Sequence, residues 1–278
     1  MNVKVSRLTP VIALSIVIAG NLFCGARNEP APVKVQMAGP PGTISAAPAA
    51  YSSTTVPENT RAPVAPFPFL PEDKPAAPAS TSDTYFSLQW GLKAVSVPAA
   101  WWQAAPGERI VTVAVLDTGI DTGHEDLQGK IAASMNFTGT PSTNDLYGHG
   151  TAMAGVIAAS SDNSTGIAGL APNCRLLNVK VASDSGMVKA ADVARGIIWA
   201  ADNGANIINI SLEIREPSAE LEAAVAYAWD RGAVIIAAAG NDGRGYDVFP
   251  ACYDKCLAVT GLTENLELAP LANRAAWV

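Results

Sequence analysis

The chain contains two histidines in 278 residues, and one of them stands where an imidazole can move a proton. His149 lies in the stretch DLYGHGTAMAGVIAAS, flanked by Gly148 and Gly150. Glycines on both sides allow close backbone approach, and the small residues that follow predict a tightly packed helix beginning at the histidine. An imidazole in that position suits general acid–base work. His124, in GIDTGHEDL, belongs to a polar loop and reads as a surface or loop-fixing residue. A carboxylate that could serve the base is Asp117, delivered by the apolar run IVTVAVL from Ile110 and followed by Thr118 and Gly119. Taken alone, Asp117 could equally be a turn or cap residue; an imidazole elsewhere in the same chain shifts the balance toward chemistry. The Asp-Thr-Gly triplet also occurs in aspartic proteases, but those are all-β proteins and the helical patterns here are plain. Neither a GxGxxG nor a GxxxxGK[ST] motif is present, so nucleotide binding is set aside.

Positioning these groups requires strands that end at one edge. Ile110 to Leu116, Leu176 to Val181, Ile207 to Ile210, Val234 to Ala239 and Leu257 to Thr260 are short runs rich in Val and Ile, the pattern of strands buried on both faces. Helical patterns separate them. One runs from Val188 to Asn203 and stops at Gly204; another runs from Ser218, a candidate N-cap, to Arg231, with Gly232 as its stop. Alternation of this kind predicts an α/β domain over residues 84–278, with a parallel sheet covered by helices on both faces. In such sheets, sites form beyond the carboxyl ends of the strands, where Asp117 falls. Tyr85, Phe86, Trp90, Trp101 and Trp102 supply aromatic area to pin the N-terminal segment onto the core.

Ahead of this domain the composition differs. Lys4 and Arg7, the run VIALSIVIAG from Val11 and the following NLFCGA fit a secretory signal peptide over residues 1–26, so export is expected. The apolar run is too short for a usual membrane span, and Phe23 stands where a lipid-anchored Cys24 would be preceded by a small residue. Residues 27–83 read as a Pro/Ala-rich linker: 12 Pro and 11 Ala fall among the 54 residues from 27 to 80, too few apolar groups to form a core. A net charge of -7 gives no basic surface for nucleic acid and no strong membrane partner. In an oxidising compartment Cys252 and Cys256 are expected to pair across a turn, leaving Cys174 free.

Five stretches, in order, then carry a resemblance: QWGLKAVSVPAAW from Gln89, VAVLDTGID from Val113, GHGTAMAGVIAA from Gly148, ANIINISL from Ala205 and AAAGNDG from Ala237. Together they resemble the subtilisin-like serine proteases. The resemblance implies a triad aspartate at Asp117, the general base at His149 and a side-chain oxyanion donor at Asn241. It implies that Ser211 and Leu212 pair with substrate backbone and that Ala238, Ala239 and Gly240 line the specificity pocket, with a polypeptide as substrate and a monomer as the working form. No cofactor is required, although Asp126 and Asn163 match positions of a structural calcium site. Two departures stand out: Glu213 where the family continues with glycine, and Ala152 where a second histidine is common. The larger departure is the nucleophile. None of the 37 residues after Asn241 forms a GTSMA-type motif, and the last serine is Ser218. The chain thus reads as the first two thirds of a catalytic domain, without turnover on its own; a non-catalytic protein that binds extended peptides is the alternative.

Overall fold

A computed structural model describes residues 81–97 and 110–278. The expected signal peptide, residues 27–80 of the linker, Trp101 and Trp102 lie outside the described residues. Six strands form one sheet: β1 (Thr112–Asp117), β2 (Ile131–Asn136), β3 (Arg175–Lys180), β4 (Ile207–Ile210), β5 (Val234–Ala238) and β6 (Cys256–Val259). Their order is β2-β3-β1-β4-β5-β6, and every pairing is parallel. The helices are α1 (Trp90–Ala94), α2 (His149–Ala158), α3 (Ala190–Asp202) and α4 (Ala219–Asp230). Among the described residues, no helix is long and apolar enough to cross a membrane.

Alternation along β1 shows how the layers are built. Val113 and Val115 face one apolar cluster with Met153, Val156 and Ile157 of α2, while Ala114 and Leu116 face a second cluster with Val193 and Ile197 of α3 and Leu221 and Val225 of α4. Helices therefore cover both faces, as expected. A strand buried on both sides must be apolar throughout, which is why IVTVAVL lacks polar alternation. Ser218 caps α4, its hydroxyl accepting the Leu221 N–H at 3.3 Å.

The order places a topological switch at β1. Its neighbours β3 and β4 are consecutive in the chain but lie on opposite sides of it, and the crevice of an open α/β sheet opens where strand order reverses. Asp117 ends β1, Ser211 follows β4 and Ala239 follows β5, so three adjacent strands deliver their next residues to one edge.

Several expectations need revision. Strand β2 was not anticipated, because IAASMN has small side chains in a half-buried, half-exposed alternation and pairs only with β3 at the edge of the sheet. Packing begins before residue 84: Asp83 is buried, and its carboxylate accepts the N–H groups of Asp162 at 2.9 Å and Asn163 at 3.1 Å. Of the aromatic anchors, Phe86 is buried but Tyr85 is exposed. The turn between Cys252 and Cys256 forms, with the Cys256 N–H donating to the Tyr253 carbonyl at 2.9 Å. The pair is nevertheless unbridged. Cys174, Cys252 and Cys256 are free thiols, the last two each packed against the same apolar cluster.

Candidate active site

At the end of β1 the Asp117 carboxylate is fully buried, and its Oδ1 accepts the Thr118 N–H at 2.7 Å. His149 Nδ1 lies 2.8 Å from Asp117 Oδ1 and 2.9 Å from Oδ2. An ionised carboxylate can only accept, so Nδ1 carries the hydrogen and Nε2 keeps its lone pair for a proton. Burial pushes the His149 pKa down, but the hydrogen bond and charge of Asp117, with the charge of Asp145, outweigh it and raise the net value. The pair therefore stabilises an imidazolium, as a general base requires once it has taken a proton.

Close approach of the two elements depends on Gly150. A Cβ there would lie 2.1 Å from the Gly119 carbonyl oxygen and 3.0 Å from Asp117 Cβ, so any side chain would drive α2 away from β1. At the helix start Gly148 has a φ of 96° and no side chain to cap with. The cap comes from Asp145, three residues before Gly148. Its Oδ1 accepts the N–H groups of Tyr147 (3.0 Å) and Gly148 (2.8 Å) and the Thr118 hydroxyl (2.8 Å). Its Oδ2 accepts the Thr151 N–H (2.8 Å) and hydroxyl (2.7 Å). Burial pushes the Asp145 pKa up, and the bonds from Gly148, Thr151 and Thr118 more than reverse this, leaving it below the usual carboxylate value. Thr118 in turn accepts the Gly150 N–H at 3.0 Å, so Asp145 braces both the helix and the loop after Asp117. Beneath that loop the fully buried Lys180 donates to the Thr118 carbonyl and pairs with Asp184 at 2.9 Å.

The triplet Asp121-Thr122-Gly123 repeats the Asp-Thr-Gly pattern four residues on, but Asp121 Oδ1 accepts the Gly123 N–H at 2.9 Å as a turn carboxylate. His124 accepts the Asp126 N–H through Nδ1 at 3.2 Å, which is the loop-fixing role expected of it.

Across the edge, Ser211 and Leu212 continue β4 and are half-buried, with the Ser211 hydroxyl accepting from Asn209 Nδ2 at 3.0 Å. Ala238, Ala239 and Gly240 are buried. Asn241 follows them, exposed, and its side-chain amide has no hydrogen-bond partner among the described residues. Its loop is held from below by the fully buried Asn273, whose Nδ2 donates to the Ala239 carbonyl at 2.9 Å and whose Oδ1 accepts the N–H groups of Asp242 (3.0 Å) and Arg244 (3.1 Å). Asn273 lies 32 residues beyond Asn241, a separation that no local pattern reports.

Asp126 and Asn163 meet through the amide nitrogen: Asn163 Nδ2 donates to Asp126 Oδ1 at 2.9 Å, and the Ile167 N–H donates to Oδ2 at 2.9 Å. Asp83 clamps the same loop. Among the described residues, no group of three or more His, Cys, Asp or Glu side chains is gathered to hold a metal.

Fold and edge define a doubly covered parallel α/β domain with a histidine–aspartate base pair where its strand order reverses. Residues 108–277 match the model of the subtilase family of peptidases, and the chain belongs to that family. It is 40% identical over 199 residues to the thermophilic serine proteinase of Bacillus sp. (strain AK1), covering 71% of this chain and 49% of that protein. It is 41% identical over 186 residues to thermitase of Thermoactinomyces vulgaris, covering 66% of each. The solved structure of sphericase superposes with a TM-score of 0.55 at 35% identity, covering 59% of each chain. The chain thus spans between about half and two thirds of the length of the curated relatives compared.

Proposed function

We propose that this chain supplies the base, its orienting carboxylate and the oxyanion donor of a serine endopeptidase acting on polypeptides. The observation that supports it most is the contact of a buried Asp117 with His149 Nδ1, which leaves Nε2 free to act. In the proposed cycle Nε2 takes the proton from an attacking serine hydroxyl as its oxygen bonds to the scissile carbonyl carbon. The imidazolium is stabilised by Asp117, and the Asn241 amide donates to the developing oxyanion. His149 then returns the proton to the departing amine, leaving an acyl-enzyme that water hydrolyses by the same steps. The strand at Ser211 and Leu212 is proposed to pair with substrate backbone, and the chain behind Asn241, from Ala238 to Gly240, to wall the pocket for the side chain.

Turnover requires a serine that the described residues do not supply: among them no hydroxyl lies within hydrogen-bond distance of His149 Nε2. The test is hydrolysis of a chromogenic peptide by the 278-residue chain and by the same chain joined after Val278 to the corresponding serine-bearing segment of thermitase. Cleavage by the joined chain alone supports the reading. Peptide binding without cleavage by either would favour the non-catalytic alternative.

A structural calcium ion is proposed for the loop at residues 160–167. The resemblance places it at Asp126 and Asn163; the Asp126 carboxylate is buried beside that loop, and the Asn163 amide would have to present Oδ1 in place of the Nδ2 that now faces Asp126. Higher melting temperature in calcium than in chelator would support this; equal values would not. Export with removal of residues 1–26, and a monomeric working form, complete the proposal. N-terminal sequencing of secreted material and size-exclusion chromatography test them.

A further inference from the structure

Glu213 is where this chain departs from the family's glycine beside the substrate strand, and its carboxylate is fully engaged. Oε1 accepts the backbone N–H of Asn241 at 3.0 Å, and Oε2 pairs with Arg215 Nη2 at 3.0 Å. Arg215 also pairs with Asp242 and lies 4.4 Å over the ring of Tyr246, whose hydroxyl donates to the same Asp242 oxygen. The result is a connected bridge from the end of the β4 segment to the loop that carries the oxyanion amide. Among the described residues, that loop is fixed from beneath through the backbone of Ala239, Gly240, Asp242, Gly243 and Arg244. Among the described contacts, Glu213 alone holds the backbone N–H of Asn241 itself.

We propose that Glu213 is a positioning residue for Asn241, with Arg215 holding its carboxylate in place. The proposal rests on the reading of Asn241 as the oxyanion donor. A donor aimed at a developing charge loses its effect when displaced by a fraction of an ångström, and misplacement of about 1 Å can cost about 100-fold in rate. A glycine in this position would leave the Asn241 N–H to water. Here a side chain does what backbone packing alone would otherwise have to do, and it does so from the opposite wall of the groove.

Two variants separate the hydrogen bond from the charge: Glu213→Gln keeps an acceptor for the Asn241 N–H, while Glu213→Ala removes it. Amide hydrogen exchange at Asn241, followed by NMR on the 278-residue chain, is expected to accelerate at least about 10-fold in Glu213→Ala and to stay within about 3-fold in Glu213→Gln, with the exchange of β1 and β4 amides unchanged. In the chain joined to the thermitase serine segment, kcat is expected to fall about 10-fold or more in Glu213→Ala with KM within about 3-fold, and to recover in Glu213→Gln. Unchanged Asn241 exchange in Glu213→Ala overturns the proposal. So does a change confined to KM, which would make Glu213 a substrate contact. If the joined reference chain is itself inactive, the proposed activity fails while the exchange comparison still decides the role of Glu213.

Discussion

Replacing Asp145 by alanine removes the acceptor for five donors while keeping both members of the Asp117–His149 contact. Two of those donors, the N–H groups of Gly148 and Thr151, belong to the first turn of α2, whose own cap position is a glycine without a side chain. Loss of an N-terminal cap costs about 1 kcal/mol. Loss of a partly buried negative charge at a helix start costs about 1 kcal/mol more. The hydroxyls of Thr118 and Thr151 lose bonds of 2.8 and 2.7 Å to an ionised acceptor, of which rotation to other partners recovers part, for a further loss of about 1 kcal/mol. Together the structure implies a destabilisation of about 3 kcal/mol, or a fall in melting temperature on the order of 6–12 °C for a domain of this size. Asp145→Asn retains one acceptor oxygen and is expected to lose about 1 kcal/mol. Urea unfolding followed by circular dichroism measures both. The folded pKa of Asp145 lies below its unfolded value, so its contribution is present above the unfolded pKa and is lost as pH falls through the folded one. The gap between wild type and Asp145→Ala should accordingly close in acid. A loss under about 0.5 kcal/mol at neutral pH, or equal losses in the two variants, would refute the bracing role.

In Asp117→Asn the His149 titration, followed by NMR, should move to lower pH, because the groups that raise it are chiefly the hydrogen bond and charge of Asp117; an unmoved titration would contradict the pairing. The raised folded value also means that the stability His149 contributes is present below its unfolded pKa and fades as pH rises through the folded one, so the stability difference between wild type and His149→Gln should shrink with rising pH. Gly150→Ala is expected to cost about 1–3 kcal/mol in urea unfolding, since the new methyl group meets the Gly119 carbonyl; a neutral result would show that α2 and β1 separate freely. Cys174, whose thiol burial pushes up to about 12, should resist alkylation at pH 8 until the chain unfolds, whereas the half-buried Cys252 reacts first.

How much of this was legible in the residues depended on range. Asp117 and His149 were singled out from a short apolar run and a glycine-lined helix start, features visible within a window of about ten residues, whereas Asn241 was suggested only by the resemblance that AAAGNDG carries. The core strands β1, β3, β4 and β5 were readable because burial on both faces forces continuous apolar sequence. Strand β2 was not, since a sheet edge with small residues lacks that signature. Asn273 and Asp83 escaped for a different reason: each accepts N–H groups from a segment brought near only by folding, and an isolated Asp or Asn looks like a turn residue until that contact exists. Asp145 bonds mostly to its own helix start, and only its bond from the Thr118 hydroxyl depends on the fold. Glu213 was visible as a departure, but its link to the Asn241 N–H was not. The cysteine pairing failed because a turn of suitable length is necessary for a bridge and does not by itself direct the two side chains together.

The central proposal is that Asp117 and His149 form the base of a serine endopeptidase whose nucleophile the described residues do not supply. Fluorophosphonate labelling tests it most directly, because the probe reacts only with a serine whose proton has somewhere to go. The account expects stoichiometric labelling of the chain joined to the thermitase segment, and none for the 278-residue chain or for the joined chain bearing His149→Ala. Labelling of the 278-residue chain, or equal labelling with and without His149, would contradict it.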